Sequence, residues 1–281
     1  TLDFEQLSQP DGEYTFGGWG EGFIDKRHPH TLLHELMLSL NAWDTEAGSF
    51  SLSAGKGFAP YGTEDPMSRP VLKYPTNHHL SQILERWTVN AAWVHRSGWG
   101  LEGAVFGGNE PKDAYDVSNI ESFGNSWSAR VVRRFGGTPD FGAGVAPWEV
   151  AASFGRVVEE HHGVEERTDL VNAYVRMDDV TRLGRVYALV EASRSMPEGS
   201  AAAGFYSVLA EAQLTRGGHR PYVRLEVATR PEYEREGEPG TRGFFRYDHD
   251  DHDIGATRWV ITTVGYGRDL AQQGAQHPAR E

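Results

Sequence analysis

Between Val171 and Thr229 the chain alternates apolar and polar residues in four separate stretches. Val171, Ala173, Val175 and Met177 oppose Asn172, Tyr174 and Arg176, and Val186, Ala188, Val190 and Ala192 oppose Arg185, Tyr187, Leu189 and Glu191. Tyr206, Val208, Ala210, Ala212 and Leu214 oppose Ser207, Leu209, Glu211, Gln213 and Thr215; Val223, Leu225, Val227 and Thr229 oppose Tyr222, Arg224, Glu226 and Ala228. Successive strand side chains point to opposite faces, so a period of two marks strands with one apolar face. Weaker alternations run through 13–24, 32–43, 50–56, 85–96, 99–108, 125–135, 148–158 and 257–268. Together they predict about twelve strands and no long helix, in a single domain spanning 1–281.

The predicted connections alternate in length. Short turns fall at Asp44 to Gly48, Arg96 to Gly98, Asp179 to Gly184 and Arg216 to Gly218, and long loops at 57–84, 109–124 and 232–256. Connections 159–167 and 196–203 are intermediate, 25–31 is moderate, and 136–147 is longer than the short class to which its position would assign it. An up-and-down barrel puts alternate connections at opposite ends, and outer-membrane barrels pair short periplasmic turns with long external loops.

Alternation alone leaves the sign of the pattern open, because a soluble sandwich or lipocalin-like barrel alternates too, with its apolar face inward. Two features favour the reverse. Many strands run to ten or more residues, against an average of about five or six. Tyr206, Tyr222, Trp259 and Tyr266 stand near strand ends, where interfacial aromatic girdles sit. The expected fold is an all-β, antiparallel up-and-down transmembrane β-barrel of about 12 strands.

Composition narrows the function classes. Net charge is −13, which argues against a nucleic-acid partner, since phosphate binding needs clustered Lys and Arg. With no cysteine there is no disulfide, thiolate metal site or cysteine nucleophile. Apolar runs are only a few residues long, too short for a spanning helix. A mean hydropathy of −0.54 suits a soluble protein or a barrel, where only alternate residues meet lipid. The chain opens at Thr1 without a charged-then-apolar leader and reads as processed or trimmed, which leaves room for a lost secretory signal.

The stretch Asp25-Lys26-Arg27-His28-Pro29-His30, followed by Pro66-Met67-Ser68-Arg69-Pro70, Asn77-His78-His79 and Glu102 to Pro111, resembles a poorly characterised family of bacterial outer-membrane barrel proteins with a D-x-R-H-P-H segment. The resemblance covers most of 13–160 and, more loosely, the later strands. It implies export to the bacterial outer membrane and an association with metal handling, copper resistance especially. Outer-membrane barrels commonly end on a strand with a terminal aromatic, whereas this chain ends in the polar stretch Ala271 to Glu281. Either strands follow Glu281, or 257–268 is the last strand with an appended tail.

Three constellations carry candidate chemistry. His28, His30, His34, His78, His79, His161, His162, His249 and His252 lie in or beside connections of the long-loop class. His28 and His30 have the same-face spacing of an extended chain and, with His79 from loop 57–84, form the candidate metal site. Met67 would favour copper there, and the carboxylates of 248–253 would favour zinc or nickel. A copper or zinc ion is the one cofactor expected. Ordinary solvated loop histidines account for the same pattern. The second constellation is a lumen set, Arg176, Arg185, Glu191, Glu211, Arg224 and Glu226, on the polar faces of neighbouring strands. It reads equally as a conduction path or as a salt-bridged filling of a narrow barrel. Asn77, His78 and Ser81 are the residue types of a hydrolase site, but sequence neighbours rarely form that geometry, and no Gly-x-Ser-x-Gly, Walker or His-Glu-x-x-His motif is present. No enzyme activity is expected. The expected function is a porin-like barrel of the bacterial outer membrane, with the bilayer and small solutes or metal ions as partners. A soluble all-β binding protein and an outer-membrane barrel hydrolase are the alternatives.

Overall fold

The computed structural model describes residues 33, 35–63, 78–109, 115–136, 146–161, 163–198, 204–231 and 256–269. Eleven strands form one antiparallel sheet in which every strand pairs with its sequence neighbours. They are β1 (Leu36–Asp44), β2 (Gly48–Gly57), β3 (Arg86–His95), β4 (Trp99–Gly107), β5 (Phe123–Phe135), β6 (Trp148–His161), β7 (Val164–Thr181), β8 (Gly184–Pro197), β9 (Phe205–Thr215), β10 (His219–Pro231) and β11 (Ala256–Arg268). Among the described residues one short helix, α1 (His78–Ser81), interrupts the series. Each strand coincides with an alternation in the sequence. The segment 13–24, expected as a further strand, lies outside the described residues. Among the described residues β1 and β11 are the edges of the sheet.

Burial supplies the sign that alternation lacks. On β8, Tyr187, Leu189, Glu191, Ser193 and Ser195 are buried, whereas Val190, Ala192 and Arg194 between them are exposed. On β10, Arg224, Glu226 and Ala228 are buried, and Val223 and Leu225 are exposed. The same holds on β5, where Ser126, Ser128 and Val132 are covered and Trp127, Ala129 and Val131 are open. The apolar face is therefore the outer one. Val208 is 44% and Val264 77% exposed, while Glu191 and Arg224 are 0% exposed.

Aromatics stud the outer face near both strand ends. At the short-turn end Trp43 stacks on Phe50 at 4.5 Å, Phe135 on Trp148 at 6.4 Å, and the Arg133 guanidinium sits 5.2 Å from the Trp99 ring. Toward the other end Trp127 lies 5.3 Å from Phe154.

The short turns are tight where the sequence allows. Arg216 and His219 exchange two backbone hydrogen bonds of 3.0 Å around Gly217 and Gly218, whose φ values are +56° and +80°. Two consecutive left-handed residues match the twist of a hairpin, and glycine adopts them without steric cost. Two expected connections need correction. The stretch 159–167 is not an intermediate loop, because β6 and β7 stay paired out to His161 opposite Val164. Its residues Glu165, Glu166 and Arg167 are all exposed, so the ladder continues with no apolar face to betray it. Loop 57–84 does not simply project from the rim. Its two described ends, 58–63 and 78–85, fold against the polar face of the sheet and bury Ala59, Tyr61, Ile83 and Leu84. The covered face of the sheet thus holds two apolar clusters. Ala59, Tyr61 and Ile83 pack with Ala104, Phe106, Val157 and Leu170; Val132, Ala151, Tyr174, Tyr187, Leu189 and Leu209 form the second.

Candidate functional site

The second cluster is bounded by a row of charges that strand register brings side by side. Arg134 pairs with Glu149, Glu149 with Arg176, Arg176 with Leu189, Leu189 with Glu211, and Glu211 with Arg224. Directly opposed side chains lie about 5 Å apart at Cβ, close enough for ion pairs. Glu149 accepts from Arg134 Nε at 2.6 Å and from the Tyr174 hydroxyl at 2.8 Å, and pairs with Arg176 Nη2 at 3.1 Å. Glu211 accepts from the Tyr187 hydroxyl at 2.9 Å and from Arg224 Nε at 2.8 Å, with Arg224 Nη2 at 2.6 Å. Both members of the Glu211–Arg224 pair have fully covered side chains. Removing a guanidinium and a carboxylate from water costs several kcal/mol each, so such a pair persists only with close, well-directed contacts.

One step along the strands, Glu191 holds the folded-in loop. Its Oε1 accepts from the Thr63 amide at 3.0 Å, the Thr63 hydroxyl at 2.9 Å and Asn172 Nδ2 at 3.0 Å. The Gly62 amide donates to Ser153 Oγ at 3.0 Å, and the Gly62 carbonyl accepts from Arg130 Nη1 at 2.9 Å. Asn90 Nδ2 donates to the Phe58 carbonyl at 3.0 Å. This one loop thereby touches β3, β5, β6 and β8, so the polar face curls around it. Gly62 makes the approach possible: its φ is +61°, and a Cβ there would lie 1.9 Å from the Ser81 carbonyl oxygen. Burial, and next the nearby Glu191 charge, push the Tyr61 phenol well above its ordinary range.

Between this loop and β2 to β5 lies a partly open cavity of about 330 Å³. Its polar lining includes Ser53, Gln82, Asn90, Glu102 and Arg130, and Phe58 and Tyr61 are among its apolar lining. Glu102 Oε2 takes both Arg130 Nε and Nη2 at 2.5 Å.

Of the lumen set named from the sequence, Glu191, Glu211, Arg224 and Glu226 are buried on the inner face, and Arg176 is half-buried on Glu149. Arg185 has the inward parity but stands at the rim beside the β7–β8 turn, 61% exposed and bidentate on Asp178. Sequence reasoning missed Glu102, Arg130, Arg134, Glu149, Tyr174 and Tyr187. The signal was present as the inward positions of the alternations at 99–108, 125–135 and 148–158, and in the place of Tyr174 and Tyr187 on the polar faces of their strands. His28 and His30 lie outside the described residues, and His79 is placed by its backbone in α1. Among the described residues no three histidine or carboxylate side chains gather as a metal group. Of the hydrolase residue types, Asn77 lies outside the described residues and Ser81 is buried in α1. No protein-family model, curated protein or solved structure matches the chain.

Proposed function

We propose that the chain is a porin-like β-barrel of the bacterial outer membrane whose interior binds or passes small solutes. One observation carries the reading: along the middle of the strands the exposed side chains include Val131, Val171, Val175, Val190, Val208, Val223 and Leu225, and those covered include Glu191, Glu211, Arg224 and Glu226. A water-soluble sheet protein has the opposite arrangement, because burying charge and exposing aliphatic surface both cost free energy in water. Strands of 9 to 18 residues suit a span that needs about 9–11. On β5 the outward positions from Trp127 to Phe135 are apolar except for Arg133 beside Trp99 near the short-turn end, and cover about 26 Å of strand, or about 20 Å of height at a tilt near 40°. In this reading the sheet closes into a barrel of about 12 strands, which removes the edges that β1 and β11 present.

The test is solubility and gel behaviour. The protein should need detergent or bilayer to stay monodisperse and should migrate differently before and after heating. Val208→Arg, placing a cation on the lipid face, should cost about 2–4 kcal/mol if the site lies near the midplane, read from urea titration in lipid. Monodisperse monomer in plain buffer, or a Val208→Arg variant as stable as the parent, would sink the proposal.

A further inference from the structure

The interior cavity between the folded-in loop and β2 to β5 has a definite chemistry. Its one carboxylate, Glu102, spends Oε2 on Arg130, and among the described residues Oε1 has no partner. Arg130 in turn directs three of its five N–H donors at Glu102 and at the Gly62 carbonyl. The Gln82 amide, also in the lining, makes no hydrogen bond among the described residues. Phe58 and Tyr61 add apolar surface. A volume of about 330 Å³ is at the small end of ligand sites, which run from about 300 to 1,000 Å³.

From this juxtaposition we infer that the cavity is a binding site for a small, uncharged, hydroxyl-rich solute of monosaccharide size. The inference rests on the porin-like reading and names the solute class for it. Charge decides the class. Glu102 and Arg130 neutralise each other at 2.5 Å, so the cavity has no surplus charge to offset an ion taken from water. An anion would meet Glu102 Oε1. A hydroxyl-rich solute can donate to Glu102 Oε1 and both donate to and accept from Gln82. Its C–H surface can lie against Phe58 and Tyr61. A few placed polar groups on an otherwise apolar wall are the usual composition of a small-molecule site.

Full-length protein in detergent micelles, checked for its heat-modifiable mobility, is titrated with glucose, ethanolamine and acetate by saturation-transfer NMR. Glucose should saturate near the millimolar range, and the two ions should give no saturable signal at the same concentrations. Gln82→Leu should weaken glucose about tenfold by removing both hydrogen-bonding functions at nearly constant size. If that variant does not reach the folded mobility, Ala92→Val, which adds methyl groups at the cavity wall, should produce the same weakening. Folded protein that does not saturate with glucose, that prefers ethanolamine or acetate, or whose affinity is unchanged in the variant that folds would overturn the inference and leave the barrel reading intact. A protein that needs no detergent would instead overturn the barrel reading.

Discussion

The two sides of the sheet's covered face obey the same alternation and fill their space differently. On β6 to β10 the inward positions carry Glu149, Tyr174, Arg176, Tyr187, Glu211 and Arg224, whose side chains meet one another across the strands. On β2 and β3 the register turns Ser49, Ser51, Ser53, Asn90 and Ala92 inward, and the cavity lies against that side. The face toward which a residue points is fixed by parity, but the open volume is fixed by size. One wall therefore closes on itself through ion pairs and the other leaves room.

The sharpest way to break this contrast is to remove one partner from the crowded wall. Glu211→Ala would take from the fully covered Arg224 guanidinium the carboxylate that meets both its Nε and Nη2, and should cost about 3–5 kcal/mol. Urea titration in detergent would register it, and adding Arg224→Met should recover much of the loss. A Glu211→Ala variant within about 1 kcal/mol of the parent would mean that the charge row is incidental. The loop's anchorage to that wall comes next. Thr63→Val removes the hydroxyl donor to Glu191 and should cost about 1–3 kcal/mol. Faster amide exchange at 58–63 should accompany it, and unaltered exchange would show that the loop is held elsewhere. The smallest effect belongs to the roomy wall. Ser53→Ala loses only a hydroxyl pairing with Ser39 at 2.9 Å in an exposed setting, and should stay within about 0.5 kcal/mol of the parent.

Much of the wall was legible in the sequence because period-two polarity reports strand and face directly. Val171 to Met177 and Val186 to Ala192 read as they fold. Depth along a strand is a different quantity, and parity does not report it. Arg185 and Glu191 share a face and are six residues apart, yet the first is exposed at the rim and the second fully covered. Where neither face is apolar the strand itself disappears from view, as at Glu159 to Glu166, though the backbone ladder runs on. The folding-in of 58–63 left one trace, apolar residues such as Phe58, Tyr61, Ile83 and Leu84 in a segment that a solvated loop would not need. Its anchor points are set by contacts to β3, β5, β6 and β8 that no local pattern encodes.

The directly opposed charges also guard against mispairing. Alternating polarity rejects a one-residue slip between strands, since that turns every side chain over. It is blind to a slip of two, which keeps each residue on its proper face. Here the ion pairs discriminate. In the native register Glu211 lies opposite Arg224 and Glu149 opposite Arg176. Sliding β10 by two residues along β9 in one direction would set Glu211 against Glu226, and sliding β7 along β6 would set Glu149 against Asp178. Like charges would then meet in a space that excludes water. The row that fills the interior thus acts as a ruler during assembly, penalising the misalignments that a greasy-outside, polar-inside pattern leaves unpunished.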